Sequence, residues 1–169
     1  MPNKLCVALL GSALLVASAV PLTALTYPPY IQCSSGAASS VTGTTTLTTL
    51  ATCTLPGGAL GPNGHVHIFT YWTMTGSTNS KIIRSQFGNQ AYLAETITAL
   101  TTIGTVRETI VWAANSRIAQ VGSSFFGANT TNFTSSVDTK NSVAILLTGQ
   151  LSNTSETITL AAYSVVVYP

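Results

Sequence analysis

The sequence predicts an all-β protein: a jelly-roll-like antiparallel β-sandwich of about eight strands behind an N-terminal hydrophobic arm. Three observations carry that expectation. From Leu47 onward, short runs of β-branched and aromatic residues alternate with turn signals roughly every ten residues. No stretch of this body carries the 3.6-residue apolar period of an amphipathic helix. Within Leu55 to Gly88, a cluster of turn residues (Pro56, Gly57, Gly58, Gly61, Pro62, Asn63, Gly64) precedes a run from His65 to Met74 that contains neither Gly nor Pro.

Thr46 to Leu55 (TLTTLATCTL) alternates loosely and supplies the first strand, which Pro56 ends. His65 to Met74 supplies the second. Val66, Ile68, Thr70, Trp72 and Met74 share one face, and His65, His67, Phe69, Tyr71 and Thr73 share the other. Gly76 to Ser80 reads as a polar turn, after which Lys81, Ile83, Ser85 and Phe87 line one side of a returning strand. This pair is expected to form an antiparallel hairpin. Ala91 to Leu100 follows, then Thr105 to Ala114, with Val106, Glu108, Ile110 and Trp112 opposite Arg107, Thr109 and Val111. Arg117 to Val121 is a short strand leading to Phe125-Phe126 in a Gly-flanked turn, where one aromatic is placed to reach a partner. Ala128 to Ser136 reads as a polar loop. Ser142 to Leu151 and Glu156 to Tyr168 complete the set. Around Val165, Val166 and Val167 the last strand is apolar on both faces, as an interior strand or one pressed against another subunit would be.

Ahead of the body, residues 1–33 read as a hydrophobic arm and residues 34–46 (SSGAASSVTGTTT) as a Ser/Thr/Gly linker, leaving 47–169 as the body. Lys4, the apolar run from Leu5 to Val20 and the Ala17-Ser18-Ala19 triplet resemble a Sec signal peptide, so cleavage near residue 19 would make the protein secreted. The competing reading retains the segment as an assembly arm, in which Leu9, Leu10, Leu14, Leu15, Val16, Tyr27 and Tyr30 join Phe125 and Phe126 as interface candidates. As a helix, a run of about 16 residues covers roughly 24 Å, short of the ~30 Å hydrocarbon core, and Pro21 interrupts it. No membrane association is expected of the mature protein.

Charge is scarce. Only 6% of residues are charged, against about 25% in an average soluble domain, and the net charge is +2. Nucleic acid is excluded as a partner, because neutralising phosphates takes clustered Lys and Arg. So bare a surface suits packing against neighbouring chains. Of the three cysteines, Cys33 and Cys53 can pair in an oxidising compartment. In a reducing one all three are small buried hydrophobes, the reading that best suits Cys53 within a strand.

Catalytic groups are few: Asp138, Glu95, Glu108 and Glu156 are the only acids, and no nucleophile elbow, P-loop or dinucleotide motif appears. The chain is therefore expected not to be an enzyme and to use no cofactor. His65 and His67 point the same way and can share a metal ion, but no third ligand accompanies them, so a hydrogen-bonded or half-exposed pair is expected instead. Tyr71 and Trp72 face opposite sides and cannot form one sugar-stacking platform; Trp72 is expected in the core. The N-x-[ST] sequons at Asn129, Asn132 and Asn153 are discounted as chance in a Thr-rich chain.

Three segments resemble a recurrent pattern in small structural proteins of tailed bacteriophages. They are LGPNGHVHIFTYWTMTGSTNSKIIRSQFG, NSRIAQVGS from Asn115, and the ending SVDTKNSVAILLTGQLSNTSETITLAAYSVVVYP. Together they cover most of Leu55 to Tyr168. The resemblance implies a jelly-roll module on a virion, either a head decoration (cement) protein or a tail-associated one, with no catalytic residues to carry over. His65 and His67 stand where basic residues are common in the pattern. The expectation is a decoration protein on the phage head surface, bound to the major capsid protein and to itself as a homotrimer. The alternative is a tail-associated or secreted module that binds a cell-surface carbohydrate.

Overall fold

The computed structural model describes residues 28–126 and 129–169. Eleven strands appear in chain order: β1 (Tyr30–Ser35), β2 (Ser39–Thr42), β3 (Thr48–Leu55), β4 (His65–Met74), β5 (Ser77–Phe87), β6 (Gln90–Ala99), β7 (Ile103–Ala113), β8 (Gln120–Phe126), β9 (Asn129–Ser135), β10 (Val143–Leu151) and β11 (Thr157–Tyr168). They form two sheets. The seven-stranded sheet runs β1-β11-β4-β7-β8-β9, with β2 also paired to β11, and the four-stranded sheet runs β3-β10-β5-β6. Every pairing is antiparallel. The fold is an all-β, jelly-roll-like sandwich, as the sequence predicts.

The core lies between the sheets and follows from strand alternation. Val66, Ile68, Thr70, Trp72 and Met74 of β4 are buried, and Lys81, Ile83, Ser85 and Phe87 of β5 face them from the opposite sheet. Trp72 is in the core as expected, with its indole Nε1 donating to Thr70 Oγ1 at 2.8 Å, so the one polar atom of the ring is satisfied. Strand β11 is interior, flanked by β4 on one side and by β1 and β2 on the other. Across the sandwich, Arg107 of β7 donates from Nη2 and Nε to Glu95 of β6 at 2.6 and 2.5 Å, a bidentate pair between the two sheets.

Several expectations are corrected. Strands β4 and β5 are not a hairpin. Only Thr75 and Gly76 separate them, and there the chain passes from one sheet to the other. The reason is that both strands carry an apolar face, and two such faces bury each other only across a sandwich. The local hairpin is β5–β6, joined by Gly88-Asn89, with Gly88 at φ 61°, a conformation that costs other residues a Cβ clash. Residues 34–46, read as linker, hold β2 and the end of β1, so the sandwich begins at Tyr30 rather than at Leu47. The polar loop at 128–136 holds β9, and Phe125 and Phe126 end strand β8 rather than occupying a turn. These misread segments are Thr-, Ser- and Asn-rich. They enter the sheets through backbone pairing, which leaves little hydrophobic period in the side chains.

The cysteines are corrected too. Cys33 and Cys53 form a disulfide, with Cα atoms 5.9 Å apart and a sequence separation of 20. Because β1 and β3 lie in different sheets, the bond ties the two sheets together along one side. Buried Cys53 is thus a cross-link rather than a free small hydrophobe.

Candidate functional site

Two places on the molecule gather side chains that alternation alone does not explain. One is the outer face of the seven-stranded sheet. In an antiparallel sheet with one face on the core, the other normally carries polar residues. Here the register places Phe69 beside Ser164 on β11 and beside Glu108 on β7, with Phe125 of β8 next in line. One step along, Tyr71 lies between Ala162 and Val106. Val106 is 62% exposed, Tyr71 43% and, at the sheet's first strand, Ile31 65%. A shallow apolar groove of about 250 Å³ runs between Phe69, Tyr71, Val106, Ala162, Tyr163 and Ser164. Its floor exists because β11 has a bulge between Leu160 and Ala162 and presents small side chains there. Gly104 serves the same end, since a Cβ on it would meet the Tyr71 hydroxyl at 2.5 Å.

Strand β7 makes the point most clearly. Its outward residues are Val106, Glu108, Ile110 and Trp112, and its inward ones include Arg107, Thr109 and Val111. The more apolar of its two faces therefore points away from the core. The polar groups on this outer face engage one another. The Glu108 carboxylate meets His67 Nε2, and the His67 ring also packs on Phe69 with centroids 4.0 Å apart. His65 stacks on Tyr168 at 4.1 Å and 9°. Burial, and then the neighbouring His67, hold the His65 pKa below its ordinary value, so it is neutral near pH 7.

The second place is buried at one end of the sandwich. Lys81 is 1% exposed and lies 3.3 Å from Glu156, whose side chain is 4% exposed. Lys81 Nζ also donates to Ser77 Oγ at 2.9 Å and to the Asn79 carbonyl at 3.1 Å, while Ser77 Oγ and Asn79 Nδ2 donate to Glu156 Oε1. The Ser77 hydroxyl is the largest cause holding the Glu156 carboxyl below its ordinary value. Burial opposes it, and Asn79 and Lys81 add to it. Thr42 Oγ1 donates to the Glu156 carbonyl at 3.0 Å, so the cluster joins β2, β5 and the start of β11. Its geometry is that of a lock between sheets: a buried pair whose charges are consumed by each other and by nearby dipoles.

The expected interface residues scatter. Leu9, Leu10, Leu14, Leu15, Val16 and Tyr27 lie outside the described residues, as does Cys6. Tyr30 opens β1, exposed, and shares the register of core-facing Val167 rather than of the outer face, whereas Phe125 belongs to that face. Phe126 ends β8, and its side chain is outside the description. The centre of the face, Phe69, Tyr71 and Val106, was not singled out from sequence as an interface. The available signal was the composition of β7, whose Val106, Ile110 and Trp112 share one side while Arg107 and Thr109 share the other. Among the described residues, no three His, Cys, Asp or Glu side chains group to hold a metal ion, and no helix is long and apolar enough to cross a membrane.

Fold and site together define a disulfide-tied antiparallel β-sandwich with a largely apolar outer face. In the comparisons that would place it more narrowly, no family model matches the chain and no curated protein matches it. Among solved structures, a crystal structure of basic winged bean lectin with Tn-antigen overlaps it with a TM-score of 0.34 at 8% identity, covering 82% of this chain and 92% of that one. A likeness of that size carries no argument about what this chain does.

Proposed function

We propose that this chain is a non-enzymatic virion structural protein, a decoration (cement) protein that binds the outer surface of a phage head and stabilises the shell. The observation that carries this reading is the outer face of the seven-stranded sheet, where, among the described residues, Phe69, Tyr71 and Val106 stand exposed with no element covering them. An assembly surface explains why β7 turns its more apolar side outward, because burial against another chain returns the hydrophobic free energy that folding alone leaves unclaimed. The scarcity of long charged side chains suits the same role, since few rotamers are lost on docking. The Cys33–Cys53 bond fits a protein that works outside a reducing cytosol, as the exterior of a released particle does.

The experiment is to purify the particles and count copies. Quantitative mass spectrometry and cryo-electron microscopy are expected to find the chain in many icosahedrally placed copies in contact with the major capsid protein. Absence from particles, or a few copies at the tail, overturns the decoration reading. A second reading, a tail-associated or secreted carbohydrate-binding module, is favoured by one feature: the groove has aromatic walls in Phe69 and Tyr71 with Ser164 beside them. Saturable glycan binding that Tyr71→Ala abolishes would select it, and a mature N-terminus following Ala19 would add export.

A further inference from the structure

We infer that the outer face of the seven-stranded sheet is covered by the same face of a second copy of this chain, giving a back-to-back pair of sandwiches. The inference rests on the reading of that face as an assembly surface and names its occupant. Three features of the face select a second copy.

The first is charge. A face meets itself only if it carries no uncompensated charge, because under a two-fold axis every charge near that axis is brought close to its own like. On this face the Glu108 carboxylate is already engaged within the chain by the His67 ring, and His65 is held toward its neutral form. The other charge of β7, Arg107, points inward and is paired to Glu95, while the charges of β5, Lys81 and Arg84, belong to the other sheet. An acidic or basic partner finds nothing here to pair with, whereas an identical neutral surface meets no repulsion.

The second is area. Five neighbouring strands, β1 to β8 through β11, β4 and β7, lie side by side. At a spacing of about 4.8 Å and a rise of about 3.3 Å per residue, the patch spanned by His65 to Tyr71 across them is roughly 550 Å² of flat sheet. Side-chain relief raises this toward the roughly 800 Å² per partner of a standard stable interface.

The third is shape. Phe69, Tyr71, Val106 and Phe125 stand as a ridge beside the groove that Ala162 and Ser164 leave open. Rotated by a two-fold axis, the ridge of one copy faces the groove of the other, the interdigitation by which aligned sheets pack. A two-fold pair has even symmetry, so the unit is a dimer and not the trimer expected from sequence. Shell contacts then fall to the loops and the four-stranded sheet.

The test uses the full chain. Light scattering on a gel-filtration peak, with the chain mass read from the same sample by mass spectrometry, is expected to give twice that mass at micromolar concentration. Val106→Lys, at a position too exposed to be needed for folding, is expected to weaken self-association by at least 100-fold while the circular dichroism spectrum of the folded chain is unchanged. Mixing Val106→Lys with Val106→Asp is expected to restore the pair that neither variant forms alone. A wild-type monomer, a trimer, or a dimer indifferent to Val106→Lys each overturns the inference. Failure of the virion reading is distinguishable, because a dimer missing from purified particles removes the decoration role and leaves the pair standing. A monomer present in many copies on heads does the reverse.

Discussion

The two faces of β4 come from alternate residues of one ten-residue strand and meet opposite surroundings. Val66, Ile68, Trp72 and Met74 are closed off by the four-stranded sheet, with Trp72 bonded to Thr70. Phe69 and Tyr71, hardly less apolar, stand 38% and 43% exposed, with no second layer over them among the described residues. The difference teaches that hydrophobicity on a strand marks burial somewhere, while the partner doing the burying is decided by the rest of the sandwich. Inside, side chains answer to packing and their loss is read as unfolding. Outside, they answer to association and their loss leaves the monomer intact.

The largest effect that sharpens this contrast is Trp72→Ala against Tyr71→Ala. Removing the indole leaves a core cavity and frees Thr70, and is expected to cost about 3–5 kcal/mol in chemical denaturation. Its neighbour on the other face is expected to stay within about 0.5 kcal/mol of wild type when the chain is monomeric. Equal losses at both positions would erase the distinction between the faces.

Next comes the cross-link. Replacing Cys33 and Cys53 together by serine releases β1 from β3, and a closed loop of this length is worth about 3 kcal/mol. The same loss is expected on adding reductant to wild type, followed by urea titration. A double variant as stable as the parent would show that the sheets hold together without the staple.

Acid gives a smaller and graded effect. The folded pKa of Glu156 is depressed below its ordinary 4.5, so its contribution is fully present above that value and is lost as the pH falls below it toward the folded pKa. His65 is also depressed, from 6.5. The unfolded chain therefore takes up the proton first, and stability begins to fall below about pH 6.5. Melting temperature followed from pH 8 to pH 3 is expected to show a shallow decline and then a steeper one. His65→Gln is expected to remove the first and spare the second; a wild-type profile flat down to pH 4.5 would contradict the first assignment, and one with no steeper decline by pH 3 the second. The smallest expected effect is that of Val106→Thr, within about 0.5 kcal/mol of the monomer's stability. The gap between that value and its effect on dimer dissociation measures how much of the outer face belongs to assembly.

Much of this molecule was legible residue by residue. Alternation on β4 named its buried set, including Trp72, and the two apolar faces of β11 announced an interior strand. The placement of Lys81 on one side with Ile83 and Phe87 already implied a buried ammonium, though not its partner Glu156, 75 residues away in sequence. The apolar outer face was half visible. Phe125 was chosen for the wrong reason, as a turn residue, and Val106 was not chosen at all.

What the sequence by itself determined is therefore local: where the chain is extended, where it turns, and which residues share a side. Those depend on steric preferences and a period of two, and both act within a few residues. Only the tertiary structure decided that β4 and β5 part into different sheets, that Thr- and Ser-rich segments become β1, β2 and β9, that Cys33 meets Cys53, and which side of β7 faces out. Each of these is a contact between residues distant along the chain. Its free energy comes from closing loops and matching whole faces, quantities that no single segment contains.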